Sequence, residues 1–102
     1  PPMRAVSDGC AIVTTPTGVL PAFTSGENSP ATSLALRLME QNETFAVAYG
    51  TEASHFQAAG SSSVVCGPGS IDQAHQANEF VAISELDRCL GYLTRVIDTA
   101  SA

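Results

Sequence analysis

The chain has 102 residues, a net charge of −6, and 14% charged against 44% hydrophobic residues. That length holds one small domain, and the charged share is well under the usual ~25%, which implies a surface partly covered by something else. With only 4 Lys and Arg there is no phosphate-tracking patch, which argues against nucleic acid or an anionic membrane surface as the main partner.

Cys10 to Thr15 is rich in β-branched residues and predicts a strand, interrupted by Pro16. Thr17 to Asn28 carries Gly18, Pro21 and Gly26 and reads as an extended linker. A helix follows, with Ser29 as N-cap and Pro30 in the first helical position. Ala31, Leu34, Ala35, Leu38 and Met39 recur on one helical stripe. Gln41-Asn42 is its expected end.

Phe45 to Tyr49 fits a short buried strand. Gly50-Thr51 turns the chain, and Glu52 to Ala59 predicts a short helix ending at Gly60. Ser63 to Cys66 predicts the next buried strand. It runs into a loop, Gly67 to Glu79, whose Gly67-Pro68-Gly69 opening combines permissive and stiff backbone. Phe80-Val81-Ala82 reads as briefly extended. The last helix opens on Ser84-Glu85-Leu86-Asp87, a capping-box pattern. It is expected to bury Leu86, Cys89, Leu90, Leu93, Val96 and Ile97, and to fray from Asp98.

Strands alternating with amphipathic helices predict an α/β fold with a mostly parallel sheet. Ligands gather beyond the carboxyl ends of such strands. Tyr49-Gly50-Thr51-Glu52 and Cys66-Gly67-Pro68-Gly69 sit at two such ends, so a shared site wall is expected. The three cysteines are odd in number and lack C-x-x-C spacing. Cys66 and Cys89 read as small buried hydrophobes, which makes a reducing cytoplasm the default. No stretch approaches the ~20 apolar residues of a membrane span, and no signal peptide is visible. Opening on Pro1-Pro2 without an initiator methionine, the chain reads as a piece of a longer protein.

Tyr49-Gly50-Thr51-Glu52-Ala53 with Phe56-Gln57, then Val65-Cys66-Gly67-Pro68-Gly69-Ser70-Ile71-Asp72-Gln73-Ala74-His75, then Glu79-Phe80, resembles the C-terminal end of acetylornithine deacetylases. Their metallohydrolase superfamily includes succinyl-diaminopimelate desuccinylase and carboxypeptidase G. The likeness is dense from Gly50 to about Tyr92. It is weaker before Asn42, where Met3-Arg4-Ala5-Val6 resembles the end of a lid helix and Cys10 to Thr15 the lid's closing strand. Ser54-His55 and Ala77 depart from the usual pattern without touching the expected ligand.

The resemblance implies that residues 1–20 end an inserted α+β lid, which also mediates dimerisation, and that 21–102 form the C-terminal segment of a zinc-hydrolase domain. It implies that His75 binds one of two zinc ions, with cobalt possible. Imidazole suits Zn2+, and its second ring nitrogen can be oriented by a nearby acid such as Glu79. Gly50, Thr51, Glu52, Gly67, Pro68 and Gly69 are the expected substrate-binding residues. Glu52 there suits a cationic side chain such as ornithine's, although it also favours the positive end of a helix. The other metal ligands and the general base of the family, a His-x-Asp motif and a pair of glutamates, have no match here. The implied parent is a cytoplasmic homodimer that deacetylates N-acetyl-L-ornithine in arginine biosynthesis, through a water activated by two metals. This piece alone is expected to be inactive. A related N-acyl-amino-acid deacylase such as succinyl-diaminopimelate desuccinylase, a non-catalytic interaction module and a pseudoenzyme remain as alternatives.

Overall fold

The computed structural model describes residues 2–26 and 28–102. Pro1 and Glu27, which fall in the expected lid segment and linker, lie outside the described residues. The regular structure is a 3-10 turn at Pro2–Ala5, helix α1 at Pro30–Met39, helix α2 at Ala53–Ala58, a 3-10 turn at Ile71–Gln73 and helix α3 at Ile83–Ala100.

α1 forms where its caps predict. Ser29 Oγ accepts from the Thr32 N–H at 3.3 Å, and Pro30 takes the first position. Ser62 Oγ reaches across to accept the Ala31 N–H at 3.0 Å, so a distant segment helps close the helix start. The helix stops in a Schellman motif. Glu40 turns left-handed, Gln41 N–H donates to Leu36 C=O at 2.9 Å and Glu40 N–H to Arg37 C=O at 3.3 Å. α2 ends the same way at Gly60 (φ +91°), where Ser61 N–H bonds Phe56 C=O and Gly60 N–H bonds Gln57 C=O.

α3 departs from expectation at both ends. It starts at Ile83 on an uncapped Ala82, so Ser84 lies inside the first turn and the expected capping box does not form. Glu85 compensates in part. It sits in the positive first turn and pairs with Arg88 at 2.7 Å. The C-terminus does not fray at Asp98; the helix runs to Ala100, with Ser101 N–H on Ile97 C=O.

α1 and α3 are the two elements that pack together among the described residues. Ala35 and Leu38 of α1 are the buried apolar side chains among the described residues, 4% and 9% exposed. Arg95 adds a polar clamp, its Nε donating to Leu38 C=O at 2.7 Å. A cation at that end of α1 also meets the negative end of the helix dipole.

The α3 face expected to be buried is not. Cys89 and Val96 are half-buried, but Leu86, Leu90, Leu93 and Ile97 stand in solvent, Leu90 at 65%. The helix turns its 85, 89, 92, 96 stripe inward and leaves the neighbouring 86, 90, 93, 97 stripe open. The molecule is correspondingly extended. Its radius of gyration is 20.4 Å with extents of 68 × 37 × 21 Å, against ~13 Å for a compact chain of this length.

No β-strand forms among the described residues. The segments 10–15, 45–49 and 63–66, expected to be strands of a parallel sheet, are irregular here. A lone strand gains nothing for its backbone groups, since its N–H and C=O stay with water until a neighbour pairs with them. Ile12, Val13 and Phe45 are 80%, 83% and 79% exposed. Their β-branched and aromatic character suits a pleated, covered surface, but no second strand among the described residues provides it.

Candidate functional site

The loop that carries His75 has defined local structure. Gly69 opens it at φ +87°, where a Cβ would stand 3.3 Å from a Val81 methyl. The chain therefore returns on itself between 69 and 81, a compact loop with its ends together. Ser70 Oγ accepts from the Asp72 N–H at 3.2 Å, and Ser70 C=O accepts from Gln73 N–H at 3.1 Å. These bonds wind the Ile71–Gln73 turn, and Asp72 shapes the loop through its amide.

Ala74 is extended and His75 then turns left-handed at φ +57°, followed by Asn78 at φ +62°. Glu79 N–H closes a turn on Gln76 C=O at 3.1 Å. A left-handed non-glycine residue costs ~1–2 kcal/mol, and His and Asn are among the types that tolerate it best. His75 is exposed. The loop encloses a concavity of about 340 Å³, lined by Pro68, Gly69, Ser70, Glu79, Phe80 and Val81. Glu79 lines it and His75 does not.

The second predicted group sits elsewhere. Thr51 Oγ1 accepts the Ala53 N–H at 3.2 Å, and the buried Ser54 donates its Oγ–H to Thr51 C=O at 3.2 Å. Thr51 thus organises the start of α2, while Glu52 at the N-cap stays exposed. Beside it, the Leu20 side chain occupies the place a Cβ of Gly50 would take. Thr51, Glu52 and Phe56 line an open concavity of about 480 Å³ together with Ser62, Val64 and Val65. The expected shared wall between Gly50–Glu52 and Gly67–Gly69 is not formed. Two strand ends become neighbours only when the strands pair, and these do not.

Two residues outside the predicted set, Val81 and Tyr92, hold the loop. Besides Val81, Tyr92 Oη lies 3.4 Å from Cys66 Sγ at the loop's root. That hydrogen bond, with partial burial and the nearby Cys66 and Cys89 sulfurs, pushes the Tyr92 phenol up to about 12. Arg88 holds the Glu85 carboxyl below the usual carboxylate range, with a smaller pull from the Gly69 backbone. The sequence carried one signal for this: Glu85, Cys89, Tyr92 and Val96 share a helical stripe.

Among the described residues no three His, Cys, Asp or Glu side chains gather as a metal site. A single imidazole does not hold a divalent ion at useful affinity, so His75 can contribute a ligand but cannot make a centre. Among the described residues no helix is long and apolar enough to cross a membrane.

Residues 10–99 match peptidase family M20/M25/M40. The chain belongs to that family. Over 75 residues, 71% of this chain, it is 36% identical to an acetylornithine deacetylase of Myxococcus xanthus. Over 79 residues, 76% of the chain, it is 38% identical to an acetylornithine deacetylase of Aliivibrio salmonicida. A shorter match, 53 residues and 52% of the chain, is 47% identical to an N-acetyl-L-citrulline deacetylase of Xanthomonas campestris pv. campestris. These matches span 14–20% of the relatives' own length. No solved structure gives a significant match.

Proposed function

We propose that this M20-family chain contributes a ligand-bearing loop and part of the substrate pocket to an amidohydrolase that deacetylates N-acetyl-L-ornithine. The observation that carries the reading is the pair of acetylornithine deacetylases matched over 71% and 76% of the chain. The exposed position of His75 on a closed loop supports it, because a ligand to a shared centre must stand clear of its own segment. Zn2+, when bound, polarises a carbonyl and lowers the pKa of water. His75 is the one residue here that matches a ligand of the family, so in this reading the remaining ligands and the general base come from elsewhere in the enzyme, and these residues alone are inactive.

In this reading His75 supplies one imidazole nitrogen and Glu79 is an acid on the same loop, available to orient it. Residues 1–20 belong to a lid and 21–102 to the catalytic domain of a homodimeric cytoplasmic enzyme, as the resemblance implies. Glu52 is an exposed carboxylate beside Thr51, suited to a substrate's ammonium group. N-acetyl-L-citrulline is the second reading, favoured by the 47% identical relative; its side chain is neutral and gains less from a carboxylate.

In the complete enzyme, His75→Ala is expected to lose one metal equivalent and most of the activity while keeping its helix content. Near wild-type turnover with both metals retained would sink the assignment. Glu52→Gln separates the substrates. Under the ornithine reading it lowers kcat/KM for acetylornithine about tenfold, a ~1.4 kcal/mol loss, and leaves acetylcitrulline unchanged. Equal effects on both remove Glu52 from the pocket.

A further inference from the structure

We propose that Tyr92 is a positioning residue for the loop that presents His75, acting through Cys66 at the loop's root. The purpose of the loop rests on the reading above; the anchoring does not. Besides the weak pull of the Gly69 backbone on the Glu85 carboxyl, two contacts tie the loop to α3 and its approach: Cys66 Sγ to Tyr92 Oη at 3.4 Å, and Gly69 against the Val81 methyl, 3.3 Å from where a Cβ would stand. The loop's internal hydrogen bonds run between residues three apart or closer. They shape it but cannot orient it on the helix.

Orientation has to come from outside, because the loop contains two left-handed non-glycine residues, His75 and Asn78. Such residues persist when their surroundings over-determine them. Of the two anchors, the Val81 contact is apolar and lacks direction. The Cys66–Tyr92 hydrogen bond has direction, the Cys66 thiol donating to Tyr92 Oη at 3.4 Å. Tyr92 also lies on the stripe that α3 turns inward, with Cys89 and Val96. The rigid helix is thus the reference frame for the loop.

The test is 15N relaxation on the 102-residue chain in metal-free buffer, comparing Tyr92→Phe, Cys66→Ala, Cys66→Ser and the Tyr92→Phe/Cys66→Ala double variant. Tyr92→Phe and Cys66→Ala are expected to lower the order parameters of residues 67–79 from near the ~0.85 of rigid backbone to below ~0.6. The double variant adds nothing further, and Cys66→Ser, which keeps a hydroxyl at the root, retains the wild-type values. α1 and α3 are unchanged throughout. The proposal is overturned by a loop indifferent to Tyr92→Phe, by Cys66→Ser as loose as Cys66→Ala, or by a wild-type loop whose order parameters already lie below ~0.6. No metal enters this measurement, so it fails separately from the functional reading. A complete enzyme that keeps both metals after His75→Ala defeats the function and leaves the anchoring untouched.

Discussion

α1 and α3 are both amphipathic helices, yet they are held by opposite means. α1 has ten residues, and nearly every free group at its ends is met: Ser29 and Ser62 at the start, a Schellman turn and Arg95 at the end. Its Ala35 and Leu38 are buried. α3 has eighteen residues, no N-cap side chain and an apolar stripe standing in water. Its helicity comes from length and local pairs such as Glu85–Arg88. Amphipathic patterning specifies a helix without specifying that its apolar face is covered.

The sharpest way to break this contrast is a matched pair of leucine truncations. Leu38→Ala should cost about 2–4 kcal/mol and separate α1 from α3, seen as a lower urea midpoint and lost contacts between the helices. Leu90→Ala, on the open stripe, should change stability by less than ~0.5 kcal/mol. Equal losses at the two sites would mean that the stripe is covered in solution.

Arg95→Met tests the clamp. Removing the charged donor from Leu38 C=O is expected to cost about 1 kcal/mol and to speed amide exchange in the last turn of α1. An unchanged exchange rate assigns the end of α1 to its own Schellman turn alone. That turn can itself be improved: Glu40 sits at φ +56°, and Glu40→Gly should stabilise α1 by about 0.5–1 kcal/mol. A destabilised variant would show that Glu40 is not left-handed in solution.

The smallest effect is alkaline. The Tyr92 phenol is raised from 10.0 to about 12, so its neutral form is favoured in the folded chain. Its contribution is therefore complete below pH 10 and is lost as pH rises toward 12. Cys66→Ala should move that titration back down, followed by phenolate absorbance. No movement would separate Tyr92 from Cys66.

Much of the helical structure was legible because its signals are local. Ser29-Pro30 marked the start of α1 and Gly60 the end of α2, since caps and left-handed glycines act within a turn or two. Ser84 misled: a capping box needs the helix to begin at that serine, and Ala82 makes the entry instead. The loop of His75 was legible from Gly67-Pro68-Gly69, and Thr51 from its place before α2. Tyr92, Val81 and Ser62 were not. Each acts on a residue 12 to 33 positions away, and nothing in a single sequence pairs such positions.

By itself the sequence determined where helices form, where the glycine-framed turns lie, and which family the chain belongs to, because caps, periodicity and motif spacing are properties of neighbouring residues. Tertiary structure alone decided which stripe of α3 faces inward, which side chains anchor the loop, and that the would-be strands stay unpaired. Those outcomes depend on what each surface meets in space, and a face or a strand is stabilised only by the partner set against it.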